Sequence, residues 1–233
     1  MISINNLVVS YSKKENIIDS LSLELAESTI HGIVGLNGAG KTTLLDAVYG
    51  LTKSNSGEIS FRGEKLNKRQ VSYLVTENFF YSNITGREYL GLFQNKLFDT
   101  AKWNELFCLP LDQIVDDYST GMKKKLALLG VLKQDKPILI LDEPFNGLDM
   151  ETCRIIRSLL LQLQEKGKTI IITSHIMETL TNLCDFIHYL ENGRIKYSKG
   201  KSDFAAFEQE LFESLENKNA KLIAELFEKG TTR

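Results

Sequence analysis

Gly35-Leu36-Asn37-Gly38-Ala39-Gly40-Lys41-Thr42-Thr43 decides how the rest of this 233-residue chain is read. The run before it, Ile30 to Val34, is apolar except at His31 and Gly32, and Leu44, Leu45, Ala47 and Val48 after it carry helical spacing. Strand, glycine-rich loop and helix, in that order, make the setting of a phosphate-binding loop. Glycines at 35, 38 and 40 open backbone conformations that a side chain blocks, so successive N–H groups converge on one concavity. A helix starting near Lys41 adds the positive end of its dipole. Lys41 supplies a cation for β- and γ-phosphates, and Thr42 a hydroxyl for Mg²⁺. The stretch predicts a bound nucleoside triphosphate, with Asn37, Ala39 and Thr43 completing the loop.

Two later sites add chemistry to that loop. Ile138–Leu141 reads as a buried strand between Pro137 and Pro144, and it ends in Asp142-Glu143. An acid at the end of a buried strand beside a phosphate loop is placed to bind Mg²⁺ or its water. A carboxylate directly after it can act as a general base on the attacking water. His175 follows the apolar strand Thr169–Thr173 and Ser174, at the strand end where ligands of open α/β sheets bind. His31 and His188 lie within strands and receive no role.

Composition bounds the remainder. Apolar residues make up 42% and charged residues 25%, ordinary values for a globular chain large enough to bury a full core. A net charge of -2 points away from nucleic acid as a main partner, and Lys123-Lys124-Lys125 reads as a solvated helix face. Cys108, Cys153 and Cys184 are odd in number and lack metal-type spacing, so they are expected as buried, reduced thiols. There is no signal-peptide pattern at the start and no apolar run of membrane-spanning length.

Along the chain, Ile2 to Val9 is a first strand ending near Tyr11, and Leu21, Leu23 and Leu25 alternate as in a half-buried antiparallel strand. Residues 54–57 read as a turn, 58–62 and 71–75 as strands. Residues from about 84 to 132 form a small helical insert, aromatic at first and then helical from Gly121 to Leu132. An amphipathic helix spans 150–166 and stops at Gly167. Met177 to Leu183 is helical, and a hairpin turns at Asn192-Gly193. The expected architecture is α/β, with a phosphate-loop core, an antiparallel β subdomain and the helical insert. Residues 1–200 form the main domain and 201–233 a helical tail carrying Phe204, Phe207, Leu211 and Phe212.

With these elements in place, the chain resembles the nucleotide-binding subunit of an ATP-binding cassette (ABC) transporter over roughly residues 1–200. The phosphate loop matches that family's Walker A motif, and Ile138–Glu143 its Walker B motif. Tyr118-Ser119-Thr120-Gly121-Met122-Lys123 stands where the family signature belongs. The resemblance implies that Ser119 and Gly121 touch the γ-phosphate of ATP held by a second copy, in a head-to-tail dimer. It implies that Asn146-Gly147-Leu148-Asp149 lies at the dimer interface, that His175 contacts the γ-phosphate, and that Tyr11 stacks on adenine. It further implies ATP and Mg²⁺ as cofactors, a polytopic membrane permease as partner, and a cytoplasmic place on the inner face of the cell membrane. The signature's form resembles drug, antibiotic and peptide export systems. A soluble cassette ATPase of DNA repair, chromosome structure or translation is the competing reading, weakened by a single cassette and no heptad run.

Three departures from the family pattern stand out. Thr76 falls where the family has a metal-binding glutamine, with Glu77 next to it. The helical insert is short, and Ser28 replaces a turn glycine.

Overall fold

A computed structural model describes residues 1–11 and 15–211. Two sheets are built around one helix. The first elements are β1 (Ile2–Val9), β2 (Ile18–Leu25), β3 (Ile30–Val34), α1 (Lys41–Tyr49), β4 (Ser56–Phe61), β5 (Glu64–Lys65) and β6 (Val71–Leu74). The insert holds α2 (Gly86–Gly91), α3 (Thr100–Asn104) and α4 (Thr120–Lys133). The chain returns through β7 (Ile138–Leu141), α5 (Met150–Glu165), β8 (Thr169–Ser174), α6 (Met177–Thr181), β9 (Phe186–Glu191) and β10 (Arg194–Gly200).

Four strands form an antiparallel sheet in the order β2-β1-β4-β5, and six form the core sheet in the order β10-β9-β3-β8-β7-β6. Within the core sheet β9, β3, β8, β7 and β6 run parallel, and β10 folds back antiparallel on β9. A parallel sheet is covered on both faces, which is why β7 and β8 read as unbroken apolar runs. Ile138, Ile140 and Ile171 face α1 and the antiparallel sheet, packing with Leu44, Leu45, Ile4 and Leu21. Leu139, Leu141, Ile170 and Ile172 face the other way, onto Leu126, Leu129, Ile156 and Leu160 of the outer helices. The sheet therefore presents the C-terminal ends of β3, β7 and β8 along one edge, where the loops after them meet.

The insert is helical as expected. Thr85 and Glu88 form a reciprocal capping box at the start of α2. Phe98 stacks on Trp103 at 5.1 Å, and both rings pack on the core, which accounts for the aromatic run. Asn192 and Gly193, at φ 48° and 72°, make the β9–β10 turn. Phe204 and Phe207 are buried in the core, Phe207 against Tyr189 and Tyr197, so the start of the tail covers the core. Phe212 and the rest of the tail lie outside the described residues.

Several expectations change. Ser56 and Gly57 belong to β4, because pairing with β1 extends to Val8 opposite Ser56. Cys108 is exposed and only Cys184 is fully buried; all three thiols are free. The lysine run is no solvated face. Lys124 is buried, Lys123 donates to the Asp116 carbonyl, and Lys125 sits 3.6 Å from Asp149. His31 and His188 are buried beside each other, with His31 Nδ1 3.1 Å from His188 Nε2. The Ala26 carbonyl can only accept, so His31 carries its proton on Nε2 and accepts from His188 at Nδ1. His188 Nδ1 then accepts from the Ser198 hydroxyl at 2.9 Å. Burial pushes both imidazoles down, His188 to about 3 with His31 adding to it.

Candidate functional site

The loop Gly35–Lys41 joins β3 to α1 and wraps one end of a cleft of about 590 Å³. Gly40 caps α1 at φ 104°, a conformation that an L side chain rarely adopts. Gly35 is needed for a different reason from the one its pattern suggests. Its φ is not positive, but a Cβ there would collide with the Leu190 carbonyl oxygen of β9. Lys41 folds back over the loop and donates to the carbonyls of Gly35 (2.7 Å) and Leu36 (3.3 Å). Its ammonium thus ties the first residues of the loop to the start of α1.

The opposite wall comes from β7 and β8. Asp142, 1% exposed, accepts from Thr42 Oγ1 at 2.8 Å and from Thr76 Oγ1 at 2.7 Å, both on Oδ2, and from Thr173 on Oδ1. Thr173 in turn accepts the Glu143 N–H at 2.9 Å. Glu143 takes φ 49°, a strained backbone for a residue with a Cβ, and its Oε2 lies 3.0 Å from His175 Nδ1. Strain of this kind persists where surrounding contacts hold it. Here Lys124 of α4 holds it from below, donating to the carbonyls of Glu143 (2.6 Å) and Asn146 (2.9 Å). Burial lowers the Lys124 pKa, opposed by the nearby Glu143 and Asp142 carboxylates.

Tyr11 stands at the cleft mouth, 66% exposed, its hydroxyl 3.3 Å from Thr43 Oγ1. Asn37, Gly38, Gly40, Thr42 and Thr43 line the cleft with Lys41, Asp142, Glu143 and His175, while Gly35 and Ala39 do not line it. The structure does not bring Ser119, Gly121 and Asp149 to this cleft. Ser119 caps α4, accepting the Met122 N–H at 3.2 Å. Asp149 caps α5, where the Thr152 N–H and hydroxyl hold its carboxyl down at about 2. A Cβ on Gly121 would lie 3.6 Å from the Gly147 carbonyl, so the start of α4 abuts the loop before α5.

Thr173 and Lys124 were missed in the sequence. A threonine ending the run Thr169–Ser174 was a faint signal for the first, and nothing local marked the second.

The donor set suits Mg²⁺. Thr42 and Asp142 offer hard oxygens, and no cluster of three His, Cys, Asp or Glu exists among the described residues to cage a softer ion. Mg²⁺ takes one or two such protein oxygens and fills its octahedron with phosphate and water.

Loop, lysine, paired acids and histidine at one sheet edge define a phosphate-loop nucleoside triphosphatase. Residues 18–146 match the ABC transporter family model. The ABC transporter ATP-binding protein YybJ of Bacillus subtilis (strain 168) is 32% identical over 85% of this chain and 96% of its own. The lantibiotic transport ATP-binding protein SrtF of Streptococcus pyogenes is 30% identical over 85% of this chain and 90% of its own. A solved ATP-binding subunit of an ABC transporter superposes with a TM-score of 0.81 at 26% identity, covering 87% of this chain and 91% of that one. The chain belongs to the ABC transporter family and is one of its ATP-binding cassettes.

Proposed function

We propose that this chain is the ATP-hydrolysing motor of an exporter, working as a dimer of cassettes on a separate membrane permease. The observation that carries it is the convergence of Lys41, Thr42, Asp142 and the Glu143–His175 pair on one cleft, while Ser119, Gly121 and Asp149 lie outside it. A site missing its signature residues is completed when a second copy docks head to tail and presents them.

In this reading Tyr11 stacks on adenine, and the amides of residues 37–43 with Lys41 hold the β- and γ-phosphates. Thr42 and Asp142 hold Mg²⁺, which when bound neutralises charge on the phosphate oxygens. Glu143 takes the proton from the attacking water, and His175, held at Nδ1 by Glu143, presents its other nitrogen to the γ-phosphate. Ser119 and Gly121 of the second copy close over that phosphate. ATP binding draws the cassettes together, hydrolysis releases them, and the permease turns the cycle into movement of cargo. Residues 1–200 are the ATPase domain, with 84–132 as insert and 201–233 as tail. The form of the signature favours export, and the relative SrtF is by name a lantibiotic transport protein. No described helix is long and apolar enough to cross a membrane, which agrees with a motor at the inner face and a separate span-forming partner.

The test is Glu143→Gln. It should bind ATP and be trapped as a dimer by light scattering, while turnover falls by about 100-fold or more, the scale of a lost general base. Undiminished turnover would move the base elsewhere, and a persistent monomer with ATP bound would refute the shared site.

A further inference from the structure

Three threonine hydroxyls converge on the buried carboxylate of Asp142, and they come from unequal places. Thr42 belongs to α1 and Thr173 to β8, both regular elements packed in the core. Thr76 comes from the irregular segment after β6, which runs on to the exposed rings of Phe79 and Tyr81. One hydrogen bond ties the end of β6 to the proposed metal-binding acid, and a second ties the segment after it. The Asp142 N–H donates to the Leu74 carbonyl at 2.9 Å, and Thr76 Oγ1 donates to Asp142 Oδ2 at 2.7 Å. Glu77, the other candidate for the missing glutamine, is exposed and lines no part of the cleft.

A threonine side chain is short and stiff, with one hydroxyl proton to give. Here that proton is given to Asp142. We propose that Thr76 is a positioning residue of the ATPase site, acting on the metal through Asp142 by fixing the orientation of its carboxylate. The inference rests on the nucleotide site described above. The carboxylate torsion of an aspartate is broad, so its direction is set by its donors. Thr42 and Thr76 share Oδ2, and Oδ1 is held by Thr173 alone. Loss of Thr76 leaves Oδ2 with one protein donor, and that donor is itself the proposed metal ligand. The carboxylate is then free to follow Thr42 instead of holding it.

Mg²⁺ is titrated into the full chain with the non-hydrolysable analogue AMP-PNP, and binding is followed by calorimetry. Thr76→Val keeps the shape and removes the hydroxyl; Thr76→Ser keeps the hydroxyl. The valine variant should need about 10-fold more Mg²⁺ for half-saturation, the lower end of what loss of an outer-shell partner costs. Its AMP-PNP affinity in EDTA should be unchanged, and serine should restore the wild-type Mg²⁺ requirement. An unchanged requirement in the valine variant overturns the proposal. So does equal impairment in both variants, because the methyl group and not the hydroxyl would then matter. Failure of the nucleotide reading shows up separately, as wild-type protein whose AMP-PNP binding gains nothing from Mg²⁺.

Discussion

Acidification should destabilise this cassette through the His31–His188 pair before most of its carboxylates titrate. Both imidazoles are buried and hydrogen-bonded as neutral rings, and burial pushes both below the usual 6.5. A folded pKa below the unfolded one gives stability that is present above 6.5 and lost as pH falls toward the folded value. For His188 that window runs from 6.5 to about 3. Each pH unit inside it is worth about 1.4 kcal/mol per proton, so lowering the pH from 6.5 to 4.5 should cost about 2–3 kcal/mol from His188 alone. His31 acts in the same direction. Asp185 faces His31 and partly opposes its shift, and half-buried Asp46, raised by desolvation, offsets some of the loss. Glu27 and Asp149, both held at about 2, lose their contribution only at lower pH. Urea unfolding at half-unit steps between pH 7 and 4.5 reads the slope. A slope near 1 kcal/mol per pH unit or more, flattened in His188→Gln, is expected. A flat wild-type profile over this range would refute the assignment of two neutral, mutually bonded rings.

Other consequences follow from single contacts. Lys41→Ala should abolish ATP binding or turnover, read by calorimetry and phosphate release; normal hydrolysis would remove the phosphate loop from the mechanism. Lys124→Met leaves the Glu143 and Asn146 carbonyls without their ammonium donor. It should cost about 2–4 kcal/mol, or roughly 5–15 °C in Tm. Unaltered melting would show that Lys124 does not hold the turn. Ser72, fully buried in β6, has a hydroxyl with no partner. Ser72→Ala should therefore be neutral or stabilising by up to about 1 kcal/mol in urea unfolding, and a loss of more than that would reveal a hidden partner.

What the sequence determined by itself was whatever the chain builds locally. Residues 35–43 make a phosphate loop because its glycines, its lysine and the helix start lie within one turn of each other. The β7 and β8 runs are apolar throughout because both faces of a parallel sheet are buried, and that pattern is visible without coordinates. The acids and the histidine were legible because each directly follows such a strand. Tertiary structure alone decided which distant side chains meet. Thr42, Thr76 and Thr173 share the Asp142 carboxylate from three segments, and no spacing rule links them. Lys124 reads as surface charge in a basic run, yet the fold turns α4 so that its ammonium lies under the Glu143 turn. Gly35 is required by a β9 carbonyl 155 residues away (190 minus 35) rather than by its own backbone angle. The two histidines look idle in separate strands until β3 and β9 pair and bring their rings together. Periodicity and loop chemistry are properties of neighbours along the chain, whereas the orientation of a carboxylate, or the neutrality of a buried ring, is a property of neighbours through space.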